Sequence, residues 1–219
     1  MTEKIILQLK DACFAPDGDP ILENINLDIP VNANIRVSGP SGSGKSTLLK
    51  MMAGLIPLTS GELLFRGENF NKMSAQEYRR QVSYVSQTPQ LFGETIRDNL
   101  AFPAQIREDN FDEDRAKHLL AQVKLDYLDL DQSIEHLSGG ERQRVGLIRH
   151  FMYEPEMWLL DEISSALDEN LRTELWEWVV AHAADKHQNL IWISHIEEEG
   201  LKADYEIILG QHQAEWRVN

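Results

Sequence analysis

The chain has 219 residues with 36 acidic against 21 basic side chains, a formal net charge of −15, which excludes the broad basic surface of a nucleic-acid binder. No apolar stretch approaches the roughly 18–20 residues of a membrane-spanning helix, and the opening "MTEKIILQLK" is too acidic and its apolar run too short for a signal peptide. The single cysteine, Cys13, excludes an intramolecular disulfide and fits a reducing cytosol, so with 42% hydrophobic residues a globular, soluble, intracellular protein is expected.

The first elements read as short strands. "KIILQLKDACF" and "ILENINLDI" alternate apolar and polar residues on either side of a "DGDP" turn cluster. Phe14 closes the first strand, either as a buried aromatic or as a ring on which an adenine stacks. "NIRVSGPSGSGKSTLLKMMAGLI" then reads as a strand, a glycine loop and an apolar helix ending near Gly54. Within it Gly39, Pro40, Ser41, Gly42, Ser43, Gly44, Lys45, Ser46 and Thr47 spell G-x-x-x-x-G-K-S/T between strand and helix, the context that a phosphate loop requires. Its successive N–H groups form a nest for a β-phosphate. Lys45 is expected to reach the β- and γ-phosphates and the Ser46 hydroxyl to ligate Mg²⁺.

"TSGELLFRG" returns to strand, and "YRRQVSYVSQ" reads as another, with Val82, Tyr84 and Ser86 on one face. Gln87 ends that strand, suitably placed for Mg²⁺ and an attacking water. Residues 88–137 turn mostly helical and acidic; in "DEDRAKHLLAQVKL" the residues Ala116, Leu119, Leu120 and Val123 follow the i, i+3, i+4, i+7 pattern of an amphipathic helix.

"LSGGERQRVGLIRH" opens a basic helix with Val145, Leu147 and Ile148 as its apolar positions. Ser138 and Glu141 fit the S-x-x-E capping box, which satisfies first-turn donors. Gly139 and Gly140 go beyond a cap, because each glycine costs roughly 1 kcal/mol relative to alanine inside a helix. Close approach of another group to the backbone explains the pair better.

Beyond this helix "EMWLLDE" is a buried strand, "SSALDENLRTELWEWVVAHAA" a helix, and "NLIWISH" and "YEIILG" strands. That βαβ rhythm predicts a parallel sheet with crossover helices. Asp161 ends an apolar strand and is a candidate to hold Mg²⁺ or its water. Glu162 follows as the candidate general base for the attacking water. His195 ends another strand, where ligands sit in open parallel sheets, as a candidate donor to the γ-phosphate. Cys13 and the seven histidines show no metal-ligand spacing.

The order of phosphate loop, Gln87, "LSGGE", "MWLLDE", "SALD" and His195 resembles the ATPase subunits of ABC transporters over nearly the whole chain. The resemblance implies an α/β, P-loop NTPase fold of the RecA-like kind: a mostly parallel sheet core, an N-terminal antiparallel β subdomain and a helical subdomain. Residues 1–219 would form a single ATPase domain, with 1–87 and 138–219 bearing the sheets and 88–137 the helical part. It implies ATP and Mg²⁺ as cofactors, and a homodimer with ATP sandwiched at its interface. There Ser138, Gly139 and Gly140 of one subunit would reach, in trans, the nucleotide held by Lys45 of the other, and Asp168 would lie at the seam. Such a subunit works with a separate integral-membrane permease, as a cytoplasmic protein peripheral on the inner membrane's cytoplasmic face.

Leu91-Phe92 and Thr95-Ile96 are similar to the pattern of exporter ATPases, in particular those of bacterial Fet-type iron-export transporters. Phe14 or its neighbours stand where that family usually has a tyrosine against adenine. The alternative is a soluble ABC-type ATPase driving another process, such as iron–sulfur cluster assembly. A P-loop kinase or GTPase leaves "LSGGE" unexplained, and the chain lacks an N-K-x-D guanine signal.

Overall fold

The computed structural model describes residues 4–193 and 201–219. Strands β1 (Ile5–Phe14) and β2 (Leu22–Pro30) pair antiparallel with Leu9 opposite Leu27, and register shifts break the alternation so that the adjacent Ile6 and Leu7 are both buried. Strand β3 (Asn34–Ser38) leads through the phosphate loop into helix α1 (Lys45–Met52), whose last turn is closed by Ala53, just before Gly54. Strands β4 (Ser60–Phe65) and β5 (Glu68–Asn69) follow and complete a four-stranded antiparallel sheet in the order β2-β1-β4-β5.

Helix α2 (Ala75–Gln81) and strand β6 (Val82–Val85) correct one expectation. "YRRQ" continues a helix that Ser74 caps by accepting the Glu77 N–H, and the strand begins only at Val82. The alternation in "YRRQVSYVSQ" therefore spans a helix end and a strand start. The local cap wins over the period-2 pattern.

Helices α3 (Ile96–Gln105), α4 (Glu113–Gln122) and α5 (Gly139–Phe151) come next, then β7 (Met157–Asp161), α6 (Glu169–Asp185), β8 (Asn189–Ile193), β9 (Tyr205–Gly210) and β10 (Gln213–Val218). Helix α6 starts later than "SSALDE" suggests, because the Asp168 carboxylate caps it by accepting the Leu171 N–H at 3.1 Å. A six-stranded sheet runs β10-β9-β3-β8-β7-β6, parallel from β9 through β7, with β10 antiparallel to β9. Every residue of β7 and β8 is buried, as expected of parallel strands covered on both faces. Together these features are the α/β fold expected of an ABC ATPase domain, antiparallel N-terminal sheet included.

The chain divides into two compact units. The first comprises Met1–Tyr84, Pro155–Glu162 and His182–Asn219, and the second Val85–Glu154 and Ile163–Ala181. In the first, Leu48, Leu49, Met51 and Met52 of α1 share one hydrophobic core with Leu7, Leu9, Ile35, Val37, Leu159 and Ile191 of the sheets. In the second, α5 packs on α3 and α4, and Val145, Leu147, Ile148, Leu100 and Leu120 are buried. That packing groups residues 138–154 with the helices of 88–137 rather than with the sheets. Among the described residues no helix is long and apolar enough to cross a membrane.

Candidate active site

The phosphate loop takes its shape from three glycines in the left-handed region, with φ of 140° at Gly39, 78° at Gly42 and 94° at Gly44. Gly39 is the most confined. A methyl group there would meet the Leu209 carbonyl and come within 2.9 Å of Ser43 Oγ. Gly44 starts α1 in a left-handed conformation and without a side-chain cap, which leaves the first-turn amides of Lys45, Ser46 and Thr47 uncovered by any capping side chain. Such a terminus favours anions through free N–H groups and the helix dipole.

Lys45 is buried at 7% exposure, and its Nζ donates to the carbonyls of Gly39 and Pro40, both at 2.9 Å. The cation is thus folded into the loop whose amides form the nest. Ser43 Oγ is buried and has no hydrogen-bond partner among the described residues, a polar atom that a phosphate oxygen would satisfy. Loop amides, an inward cation and an orphan hydroxyl together fit a nucleotide phosphate.

Strand β7 delivers Asp161 to this loop. Its Oδ1 accepts from Ser46 Oγ at 3.0 Å, so two of the expected Mg²⁺ ligands lie side by side. Hydroxyl and carboxylate oxygens are the donors that Mg²⁺ takes alongside substrate phosphates, so the pair fits the ion. Asp161 Oδ2 accepts from the Tyr84 hydroxyl at 2.8 Å. Burial, reinforced by the bond to Asp161, pushes that phenol well above its ordinary pKa. In the sequence Tyr84 stands out only as a position on a strand face. Its role depends on β6 lying beside β7, a neighbour relation that periodicity does not contain.

Glu162 follows at the strand end with φ of 50°, its N–H donating to the Ile193 carbonyl at 3.2 Å. A left-handed non-glycine residue costs roughly 1–2 kcal/mol, and here it marks an abrupt turn immediately after the buried strand. Phe14 lies at the end of β1, half-buried and packed against the core of the first unit. His195 lies outside the described residues.

The second unit holds Gln87, exposed just after β6, and the second glycine turn. Ser138 and Glu141 form the full capping box: Ser138 Oγ accepts from Glu141 N–H at 3.3 Å, and Glu141 Oε2 accepts from Ser138 N–H at 2.7 Å. The Ser138 side chain, the Tyr127 hydroxyl and the Ser138 N–H hold the Glu141 carboxyl down to about 2. Arg144, buried at 8% exposure, anchors the turn by donating to the Val123 carbonyl at 2.7 Å and the Gly140 carbonyl at 3.3 Å. A methyl at Gly139 would meet nothing within 4 Å, and one at Gly140 would make only ordinary contact with Leu167 at 3.6 Å. Contacts among the described residues therefore do not require either glycine.

Comparison with known proteins gives the chain's family and fold. Residues 22–165 match the family described as ABC transporter. The chain is 41% identical over 210 residues to the "Probable iron export ATP-binding protein FetA" of Escherichia coli (strain K12), covering 96% of this chain and 93% of that protein. It is 36% identical over 210 residues to the "Spermidine/putrescine import ATP-binding protein PotA" of Spiroplasma citri, covering 94% of this chain but 59% of that one. It is 37% identical over 198 residues to the "Sulfate/thiosulfate import ATP-binding protein CysA" of Thermosynechococcus vestitus, covering 89% of this chain and 58% of that one. The fold aligns with a bacterial Atm1-family ABC exporter solved with ATP bound, at a TM-score of 0.88 and 23% identity, over all of this chain and 40% of the exporter chain. The chain thus spans under two thirds of those two import relatives and less than half of the exporter, but nearly all of the iron-export relative. By its sequence family and fold, the chain belongs to the ABC transporter family as an ATP-binding subunit, an ATPase.

Proposed function

We propose that this chain hydrolyses ATP to power the export of a metal ion such as iron through a separate membrane permease. The observation that carries the hydrolytic part is the meeting of Ser46 and Asp161 at 3.0 Å beside a phosphate loop with an inward Lys45. In this reading the amides of Gly42 to Thr47, Lys45 and Ser43 bind the β- and γ-phosphates, and Ser46 and Asp161, with Gln87, hold Mg²⁺. When bound, that ion neutralises phosphate charge. Tyr84 fixes the rotamer of Asp161 by its hydrogen bond. Glu162 orients and deprotonates the attacking water, a general-base contribution of roughly 10²–10⁴, and His195 donates to the γ-phosphate.

Gly139, with open space where a side chain would stand, and Gly140, with only ordinary contacts there, suit the approach of a second copy's nucleotide, with Ser138 completing the contact in trans. The dimer then closes around ATP and opens after hydrolysis. Phe92, Phe102 and Ile106 are exposed, at 39%, 38% and 50%, and Phe92 and Phe102 meet edge-on at 4.6 Å. An exposed apolar patch of this kind suits contact with a permease on the inner membrane's cytoplasmic face.

The 41% identity to an iron-export protein over most of both chains supports the direction and the cargo, although importers also match at 36% and 37%.

The test is reconstitution of the chain with a candidate multi-span permease, in vesicles with the chain outside. ATP-dependent accumulation of Fe²⁺ inside, abolished by Glu162→Gln, is the expected result. ATP turnover without metal movement would overturn the iron assignment alone. Failure to assemble with any membrane protein would favour a non-transport ATPase, such as one serving iron–sulfur cluster assembly.

A further inference from the structure

Three positions one turn apart on α5, Gln143, Gly146 and Arg149, each meet the irregular segment that follows β6. Gln143 Nε2 donates to the Gln87 carbonyl at 3.2 Å. At Gly146 the helix lies directly against Pro89; a methyl there would stand 2.5 Å from the ring's Cγ, far inside van der Waals contact. Arg149 Nη1 donates to the Gln90 carbonyl at 3.0 Å and to Asn99 Oδ1 at 3.2 Å, with its guanidinium 5.1 Å from the Phe92 ring centre. Asn99, fully buried, continues the chain of contacts by accepting the Phe92 N–H at 3.1 Å and donating to the Phe92 carbonyl at 2.8 Å.

Gln87 to Gln90 thus lies along Gln143 to Arg149, with a contact at each of three successive turns on one face of α5. Gln143 is itself 6% exposed, and a buried amide deprived of its partner is costly, so its bond to the Gln87 carbonyl resists slippage. Gly146 supplies the closeness, since any larger residue would push Pro89 away.

We propose that Gln143, Gly146 and Arg149 are positioning residues that hold the Gln87 segment in fixed register with the Ser138 turn, which starts the same helix. Gln87 and the second glycine turn then move as one piece. A push on the exposed Phe92–Phe102 pair reaches both through Arg149. This rests on the proposed ATPase reading, in which Gln87 and Ser138 both serve the nucleotide.

The experiment measures kcat and KM for ATP in the reconstituted complex. Gly146→Ala is expected to lower kcat roughly 10- to 100-fold, the scale of a misplacement near 1 Å, with KM changed less than about twofold. Gly146→Ala/Pro89→Gly should recover most of the loss, because the ring that the methyl meets is gone. Gln143→Leu, close in size, should lower kcat in the same direction and, unlike a change in cargo handling, should do so without cargo present. Wild-type kcat in both Gly146→Ala and Gln143→Leu would overturn the proposal, as would a Gly146→Ala defect untouched by Pro89→Gly in a folded protein. Glu162→Gln in parallel separates the two levels. If it hydrolyses ATP normally the catalytic reading fails, whereas if it is inactive while Gly146→Ala is normal only the register proposal fails.

Discussion

The two glycine-rich turns, Gly39–Thr47 and Leu137–Glu141, use the same residue for opposite reasons. In the first, Gly39 and Gly44 have left-handed φ and stand against the Leu209 carbonyl and the Leu22 side chain. Glycine is required there by the loop's own conformation and neighbours. In the second, Gly139 and Gly140 are helical and lack crowding neighbours, so alanine would serve the fold better by roughly 1 kcal/mol each. A loop whose glycines are demanded internally completes its own cradle. A turn whose glycines are not demanded keeps room for something that comes from outside.

That contrast breaks most decisively in a trapped dimer. With Glu162→Gln slowing hydrolysis by about 10²–10⁴, ATP is expected to convert monomer to dimer in size-exclusion mass analysis. Adding Ser138→Arg should abolish the dimer while calorimetry finds the monomer's ATP affinity unchanged. Loss of monomer binding would show that the second turn serves its own subunit's nucleotide. Gly39→Ala, next in size, should destabilise the fold by roughly 1–3 kcal/mol, the cost of a forced backbone conformation, and weaken ATP binding together with it; thermal melts with and without ATP read both effects. Gly139→Ala should instead raise stability by up to about 1 kcal/mol and still reduce turnover, and a rise in both would refute the open-turn reading.

The smallest effect is electrostatic and separates the turns by pH. The Glu141 carboxyl is held at about 2, below its ordinary 4.5. Its contribution is therefore complete above about pH 4.5, fades as the pH falls towards 2, and vanishes below. Melting temperatures of wild type and Glu141→Gln should differ at neutral pH and converge on acidification. A constant difference down to pH 3 would mean that the charge of Glu141 contributes nothing.

Much of this was legible from short-range chemistry. The phosphate loop, the capping box at Ser138 and the apolar run of β7 each announce themselves through residues only a few positions apart. The helix that Ser74 caps is hidden because "YRRQVSYVSQ" mimics alternation across a boundary, and the start of α6 because its cap is Asp168, four residues beyond the first serine of "SSALDE". The Tyr84–Asp161 bond and the fit of α5 beside the Gln87 segment depend on which elements become neighbours. Neither has a local signature.

Lys45 spends its hydrogen bonds on the carbonyls of Gly39 and Pro40, in the very loop it serves. Its ammonium has thus shed most of its hydration during folding, so that desolvation is charged to the folding equilibrium rather than to nucleotide capture. In the proposed reading, phosphate oxygens would need only to outcompete two neutral carbonyls already in place. That preorganisation favours fast capture over slow induced fit. In that reading the site would also discriminate by ligand length, because a monophosphate that stops short of the ammonium would gain nothing from the exchange.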